Sequence, residues 1–417
     1  MNKKIAGLGL PVFFIQPLVG FCLSLYNIRS RVSGIVYVLF AMVIGYAISF
    51  SNTSADSLRY AEAFMRFDNT LDYNALVRLY REGELRDLYR LLLFYFVSIF
   101  SSNPKVMYAF AGLVYGVFSY LSLRVLVKER GSNSDTYLFF LSLIFFTYYV
   151  SLVNVNGFRF NTGALVLFYS LYNFIFQKKS IWVIGILITP LFHYGFLPVI
   201  PIFILYKLVH QFFYNKIGVK PLLYYVFVIT FLASWFLETN LIKIGFLSQM
   251  DIFSGAIGNR MEFLNSSEVA NLVDSRKDNS LYLNVKTYFD YGIKIWVFVM
   301  VLFIRKLLKK SVGDKSEFTK LFAFVIFFYC LSFVLSTIPS GARFLGIAHL
   351  FMILLLVKIY TVYKEVNIKR LIGWSLPVFS FNILFINVLL PILILTPTFW
   401  YGNLFWIIIE GMDFYLY

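Results

Sequence analysis

Apolar residues run through this chain in long, nearly unbroken blocks. They lie at about 5 to 26, 32 to 50, 106 to 127, 136 to 153, 159 to 176, 181 to 209, 221 to 238, 291 to 309, 318 to 338, 343 to 362 and 371 to 396, with a short last block at 398 to 409. Crossing a ~30 Å hydrocarbon layer takes about 20 apolar residues in a helix. The blocks therefore predict an all-α fold, a polytopic transmembrane helix bundle of roughly 11–13 spans. Because they recur from end to end, residues 1–417 read as a single transmembrane domain.

Polar residues between the blocks set boundaries and orientation. Basic clusters fall at Arg29/Arg31, Arg124/Lys128/Arg130, Lys178/Lys179, Lys207/Lys216/Lys220, Arg305 to Lys320 and Lys358 to Arg370. Placed in cytoplasmic loops, where Lys and Arg accumulate, they demand an even number of crossings between Arg31 and Lys128. Three apolar runs lie there, and the middle one, Leu91 to Phe100, is only about 15 Å of helix. It is expected as a re-entrant or surface-lying helix within one long external region, 51 to 104. A second large external loop is expected at 239 to 290, where five Lys/Arg and six Asp/Glu nearly balance. The run at 181 to 209 is interrupted by Pro190, Pro198 and Pro201. It reads as two short helices meeting near His193, or as a re-entrant hairpin. Lys3 and Lys4 precede the first run with no small-residue cleavage site after it, so that run reads as the first span. This puts both lysines on the external side, against the charge rule.

Composition narrows the class further. The chain is 60% hydrophobic and 14% charged, with a mean hydropathy of +0.76. Its formal net charge of +16 sits in short clusters between apolar runs. Membrane topology accounts for that excess, and no nucleic-acid partner is expected. Cys22 and Cys330 both lie inside apolar runs, which argues against a disulfide framework and a thiolate metal site. No Walker loop, dinucleotide fingerprint, HExxH or paired CxxC is present, so neither a cofactor nor a metal is expected. The histidines His193, His210 and His349 do not cluster.

What remains are ionisable residues at the expected external helix ends, and such groups at membrane depth are functional candidates. Arg159, in Asn154-Val-Asn-Gly-Phe-Arg-Phe-Asn-Thr-Gly163, reads either as a snorkelling arginine or as a bidentate clamp on a phosphate. His193 sits at a Pro/Gly-broken helix junction, as a hydrogen-bonded structural group or as a general base. Arg343 opens a late helix, where the N-terminal dipole adds positive charge for an anion, or it simply snorkels. His349 reads as packing. Asp56, with Arg59 and Tyr60, directly follows the second run. Arg66, Arg78, Arg81, Arg86 and Arg90 come after them, interleaved with seven carboxylates between 56 and 87, and read mainly as a solvated amphipathic face. Arg260 and Arg276 are weaker candidates.

Taken in order, these residues resemble the polytopic polysaccharide polymerases of the Wzy and EpsG type. The resemblance rests on Asp-x-x-x-Tyr at Asp56 and Tyr60, Asn-x-x-Arg at Asn156 and Arg159, Phe-His at Phe192 and His193, and an arginine opening a late helix at Arg343. The chain departs from the family at Phe160, where Gln is frequent, at Tyr194 and Gly195, and at Ala55. The resemblance implies transfer of a growing glycan from undecaprenyl pyrophosphate onto a second lipid-linked repeat unit, at the periplasmic face of a bacterial inner membrane. O-antigen or exopolysaccharide would be the product, with no cofactor and with a flippase and a chain-length regulator as partners. His193, then Asp56, would serve as base. Arg159 and Arg343 would hold the pyrophosphate, with Arg59, Tyr60 and Asn156 beside them. Two other classes stay open: a lipid-linked glycan flippase or other transporter, and another lipid-sugar enzyme such as an O-antigen ligase. Flippases usually divide into similar halves, and no such symmetry is visible.

Overall fold

The computed structural model describes residues 2–50, 55–67, 87–129, 143–144, 146–214, 219–236, 281–310, 316–337, 341–363 and 366–412. It is 86% helical and has no strand among the described residues. Five helices are long and apolar enough to cross a membrane: Pro104–Glu129, Tyr194–Phe213, Glu317–Ser336, Arg343–Thr361 and Gly373–Ile394. They mark the chain as a membrane protein.

Spans and apolar blocks do not correspond one to one, because several blocks are broken. The run expected as the first span is instead a hairpin of α1 (Asn2–Ile15) and α2 (Pro17–Leu25). Gln16 is extended, its side chain caps Val19 N–H at 2.8 Å, and Pro17 starts the return helix. Gly9 and Gly20 let the two arms touch: a Cβ on Gly20 would meet the Phe13 amide nitrogen at 2.4 Å. At about 21 and 14 Å, neither arm spans a bilayer. The hairpin brings the start of the chain back to the end that carries Arg29, which removes the conflict that Lys3 and Lys4 posed.

Helix α3 (Arg31–Tyr46) is followed by α4 (Ala55–Met65), α5 (Leu88–Ser98) and α6 (Pro104–Glu129). Of the expected external region, 51–54 and 68–86, with Arg78, Arg81 and Arg86, lie outside the described residues. Helix α5 is about 16 Å long and packs Leu91, Phe94 and Val97 inward while exposing Leu92, Tyr95 and Phe96. The helix is too short to cross a bilayer. After a 3-10 segment, Leu152–Gly157, come α7 (Phe158–Ile175), α8 (Trp182–Leu187) and α9 (Thr189–Phe192). His193 is extended (φ −160°, ψ 129°) and separates α9 from a 3-10 turn, Tyr194–Phe196, and α10 (Val199–Phe213). The helical junction expected near His193 is observed at that residue.

The second half contains α11 (Pro221–Phe236), α12 (Leu281–Lys310), α13 (Ser316–Ser336), α14 (Arg343–Tyr363) and α15 (Val366–Leu384). A π turn, Phe385–Leu389, leads into α16 (Leu390–Ile394), and α17 (Thr398–Tyr401) and α18 (Leu404–Met412) close the chain. The second large loop is shorter than expected, because α12 begins ten residues before the apolar run and takes 281–290 into helix. Residues 237–280, with Arg260 and Arg276, lie outside the described residues. The last block is two short helices, neither long enough to cross.

Helix polarity sorts the polar groups to two ends. At one end Arg29 donates to Val127 O (2.8 Å), Lys128 to Gln177 (2.8 Å) and Lys320 to Ile175 O (2.8 Å), while Lys358 pairs with Glu129 (3.3 Å) and Glu317 (2.7 Å). The basic clusters thus share one end of the bundle. At the other end the chain is clasped: Ser49 N–H donates to Ile394 O (2.7 Å), Thr396 N–H to Ala47 O (2.9 Å) and Tyr46 O–H to Ile408 O (2.9 Å).

Between the ends, α3 and α6 approach backbone to backbone over small residues, as closely packed membrane helices do. A Cβ on Gly112 would meet Ala41 O at 2.3 Å, and one on Gly45 would meet Tyr108 O at 2.1 Å. Gly112→Ala should therefore force the pair apart at a cost of about 1–3 kcal/mol. Gly373→Ala, where an added Cβ meets nothing within 4 Å, should be neutral. Thermal unfolding of the two variants in detergent measures the difference, and equal midpoints would contradict the packing.

Candidate functional site

The first turns of α7 organise the clasped end. Along α7 the positions Gly157, Phe160, Asn161, Ala164 and Leu165 follow helical spacing and line one wall of a cavity of about 610 Å³. Arg159 falls on the other side of the helix, toward α4 and α5.

There Arg159 is held by three hydrogen bonds. Nε and Nη2 donate to the Tyr60 hydroxyl at 2.9 and 2.6 Å, and Nη1 donates to Asp87 Oδ2 in a salt bridge. Its guanidinium carbon lies 4.8 Å from the centre of the Tyr60 ring. Asp87 is 2% exposed, and its other oxygen accepts Tyr194 N–H at 3.3 Å. Asp87 occupies the N-cap position of α5 yet makes no cap bond there, because both oxygens turn to these partners. Arg59 and Arg90 also approach the Tyr60 ring, at 5.4 and 6.0 Å. Burial, and after it the Arg159 charge, pushes the Arg90 guanidinium down to about 10. It stays protonated at neutral pH, so three guanidiniums face one described carboxylate around this ring. Asp56 lies in the first turn of α4, one turn before Tyr60. Its side chain lies outside the described residues.

His193 adjoins this group through aromatic contacts. The Phe160 ring stands edge-on to His193 at 5.5 Å and lies 5.3 Å from the Arg343 guanidinium carbon. Nδ1 of His193 accepts Gly195 N–H at 2.9 Å, so the neutral ring carries its proton on Nε2. In that tautomer the ring offers a donor at Nε2. The residues singled out in the sequence therefore do gather at one end, but on two sides of α7. Arg159, Tyr60 and Arg59 are on one side, Arg343 and Asn156 line the cavity on the other, and Phe160 lies between His193 and Arg343.

The cavity also collects groups that sequence reasoning passed over. Lys286, Asp290 and Lys294 recur every four residues on α12 and line it. Lys286 pairs with Asp290, and Asn382 donates to the same carboxylate at 3.5 Å. Lys294 donates to Ser234 O at 3.0 Å. Two buried polar atoms on lining residues, Asn156 Oδ1 and Tyr149 Oη, have no hydrogen-bond partner among the described residues. Such atoms in a polar-lined space call for a polar guest. His349, at the apolar floor, accepts or donates at 2.7 Å with Tyr329 Oη and is packed there as expected.

The signal for the α12 group was its four-residue period, which the loop boundary at 290 cut through. Asp87 announced itself only as an acid at the start of an apolar run. No protein-family model, curated protein or solved structure matches the chain.

The Arg159–Asp87 pair yields a direct test. Removing one partner of a buried pair strands the other charge, at about 3–5 kcal/mol. Asp87→Ala should therefore lower the unfolding midpoint in detergent sharply, and Asp87→Asn, which keeps the shape and one acceptor oxygen for either Arg159 or Tyr194 N–H, should lower it less. An unaltered midpoint in both variants would show that the pair does not hold this end together.

Proposed function

We propose that this protein is a polysaccharide polymerase that joins undecaprenyl-pyrophosphate-linked oligosaccharide units into O-antigen or exopolysaccharide. In this reading the clasped end faces the periplasm, the basic end faces the cytoplasm, and the long segments at 51–104 and 239–280 are periplasmic. The observation that carries the proposal is the ~610 Å³ cavity, where Arg343, Lys286 and Lys294 stand with Asp290 and two polar atoms that have no hydrogen-bond partner among the described residues. Cations suit a pyrophosphate, and the neutral and acidic groups suit sugar hydroxyls. Its volume falls within the range of about 300–1,000 Å³ usual for small-molecule sites. The resemblance carried by Asp56, Tyr60, Asn156, Arg159, His193 and Arg343 supplies the reaction class.

The chemistry follows from those groups. An acceptor hydroxyl attacks the anomeric carbon, the bond from that carbon to the pyrophosphate oxygen breaks, and the electron pair leaves with the lipid pyrophosphate. A single displacement inverts the anomeric centre. Arg343, assisted by the α12 lysines, stabilises the charge that grows on the leaving group; fixed cations in a dry site act this way. Asp290 is the described carboxylate in the cavity and takes the acceptor proton in this scheme, with Asp56 as the second candidate. His193 donates a hydrogen bond from Nε2 to the departing phosphate or a sugar oxygen. Arg159, already spent on Tyr60 and Asp87, positions the start of α7 and so the Asn156 and Phe160 walls.

Purified protein given only lipid-linked repeat units in detergent should produce a ladder of longer glycans without any nucleotide. Arg343→Ala should slow it about 100-fold, the effect of removing one charge-assisted contact made in the transition state. Asp290→Asn should slow it while leaving unit binding intact. A wild-type protein that only moves units across a bilayer would replace this reading with transport.

A further inference from the structure

A second cavity, of about 250 Å³, lies at the opposite, basic end of the bundle. Lys178, Lys207, Lys320 and His210 line it, together with Tyr206 and Ser180. It is built from the end of α7, the turn after it, α10 and the start of α13. None of these residues belongs to the site described above.

Three features make it more than a basic surface. Lys178, Lys207 and Lys320 line one small cavity, an arrangement of like charges that an anion between them would relieve. Tyr206, which lines this space, is 3% exposed, and its hydroxyl has no hydrogen-bond partner among the described residues. Lys178 holds a left-handed backbone (φ 53°), the one non-glycine residue to do so among those described; the conformation costs energy in a residue with a Cβ. Glu317, one turn before Lys320 on α13, is engaged by Lys358 at 2.7 Å. The His210 ring donates from Nδ1 to Lys207 O at 2.8 Å, which fixes its orientation.

We propose that this cavity binds a phosphate group, and that the phosphate is the headgroup of an anionic membrane lipid. The three ammonium groups supply charge and the Tyr206 hydroxyl supplies a neutral donor, as in basic pockets that hold anionic headgroups between membrane helices. The lipid is favoured over free phosphate by what surrounds the mouth. On α10, the helix that carries Lys207 and His210, Leu205, Leu208 and Phe212 are exposed, at 47, 71 and 64%. Ile181 and Ile184, just after Lys178, are exposed as well. Acyl chains thus have an apolar bed beside the charged pocket, and a free ion would leave that bed unused. The volume of about 250 Å³ admits a headgroup.

The test uses full-length, delipidated protein and reads the thermal midpoint as lipid is added, since a ligand bound only by the folded state raises it. Phosphatidylglycerol should raise the midpoint, and phosphatidylcholine at the same concentration should not. In the double variant Lys178→Gln/Lys207→Gln the apparent Kd for phosphatidylglycerol should rise about 100-fold, roughly tenfold for each charge-assisted hydrogen bond removed. Tyr206→Phe should weaken binding several-fold without changing the charge. The same response to phosphatidylglycerol in the wild type and the double variant would overturn the site. An equal rise with inorganic phosphate would overturn the lipid as its source. Should the double variant fail to fold, Lys207→Gln alone decides: an apparent Kd raised about tenfold supports the site, and an unchanged Kd overturns it. Polymerisation is not the readout, so this result stands or falls apart from the function proposed above.

Discussion

A guanidinium inside an apolar bundle cannot be left without a counter-charge, and the clasped end of this protein is arranged around that constraint. Arg159 enters at the start of α7, and Asp87, at the start of a helix too short to span, comes to meet it. Tyr60 supplies a shared acceptor from α4, and the second oxygen of Asp87 reaches the backbone just beyond the His193 break. Four separate pieces of chain are thus tied by two charges. Buried pairs of this kind contribute little net stability relative to an apolar replacement, yet breaking one is costly. Their effect here is to fix which pieces lie together.

With Arg159 anchored on one side, the opposite side of the same helix is free to form a wall. Phe160 and Asn161 stand there, and Asn156 reaches the same space from the preceding 3-10 segment. The aromatic cluster of Phe160, Phe196 and Phe344, with ring centres 4.9 to 5.9 Å apart, joins α7, the turn after His193 and α14. It brings Arg343 to the cavity edge. Orientation of the arginine and shape of the cavity therefore come from the same few residues. A change on the Arg159 side is felt on the cavity side through the helix between them.

Much of this end was legible in the order of residues. Period and length identified α7, α13 and α14 nearly to the residue, and three prolines with a glycine located the break at His193. Basic clusters foretold a common end because the signal is additive along the chain and needs no knowledge of packing. Asp87 was hidden because a carboxylate before an apolar run looks the same whether it faces water or a guanidinium from 72 residues away. Lys286, Asp290 and Lys294 were hidden for another reason: the loop boundary followed hydropathy, and a charged first turn of a helix is hydropathically a loop. The hairpin of α1 and α2 escaped because its close approach depends on Gly9 and Gly20, which in a plain apolar run look like ordinary membrane glycines.

The clasp that joins the end of α3 to the last helices has a bearing on how the molecule is made. Tyr46 and Ile408 are bonded across 362 residues, and the Tyr46 ring leaves no room for a Cβ on Gly411. Ribosomes add about 5–20 residues per second, so the partner of Tyr46 emerges roughly 20 to 70 s after it. Throughout that interval the end of α3 lacks this partner. Closure therefore comes after the cavity wall has been made, and a chain released before α18 would retain every residue of that wall without the seal that α18 provides.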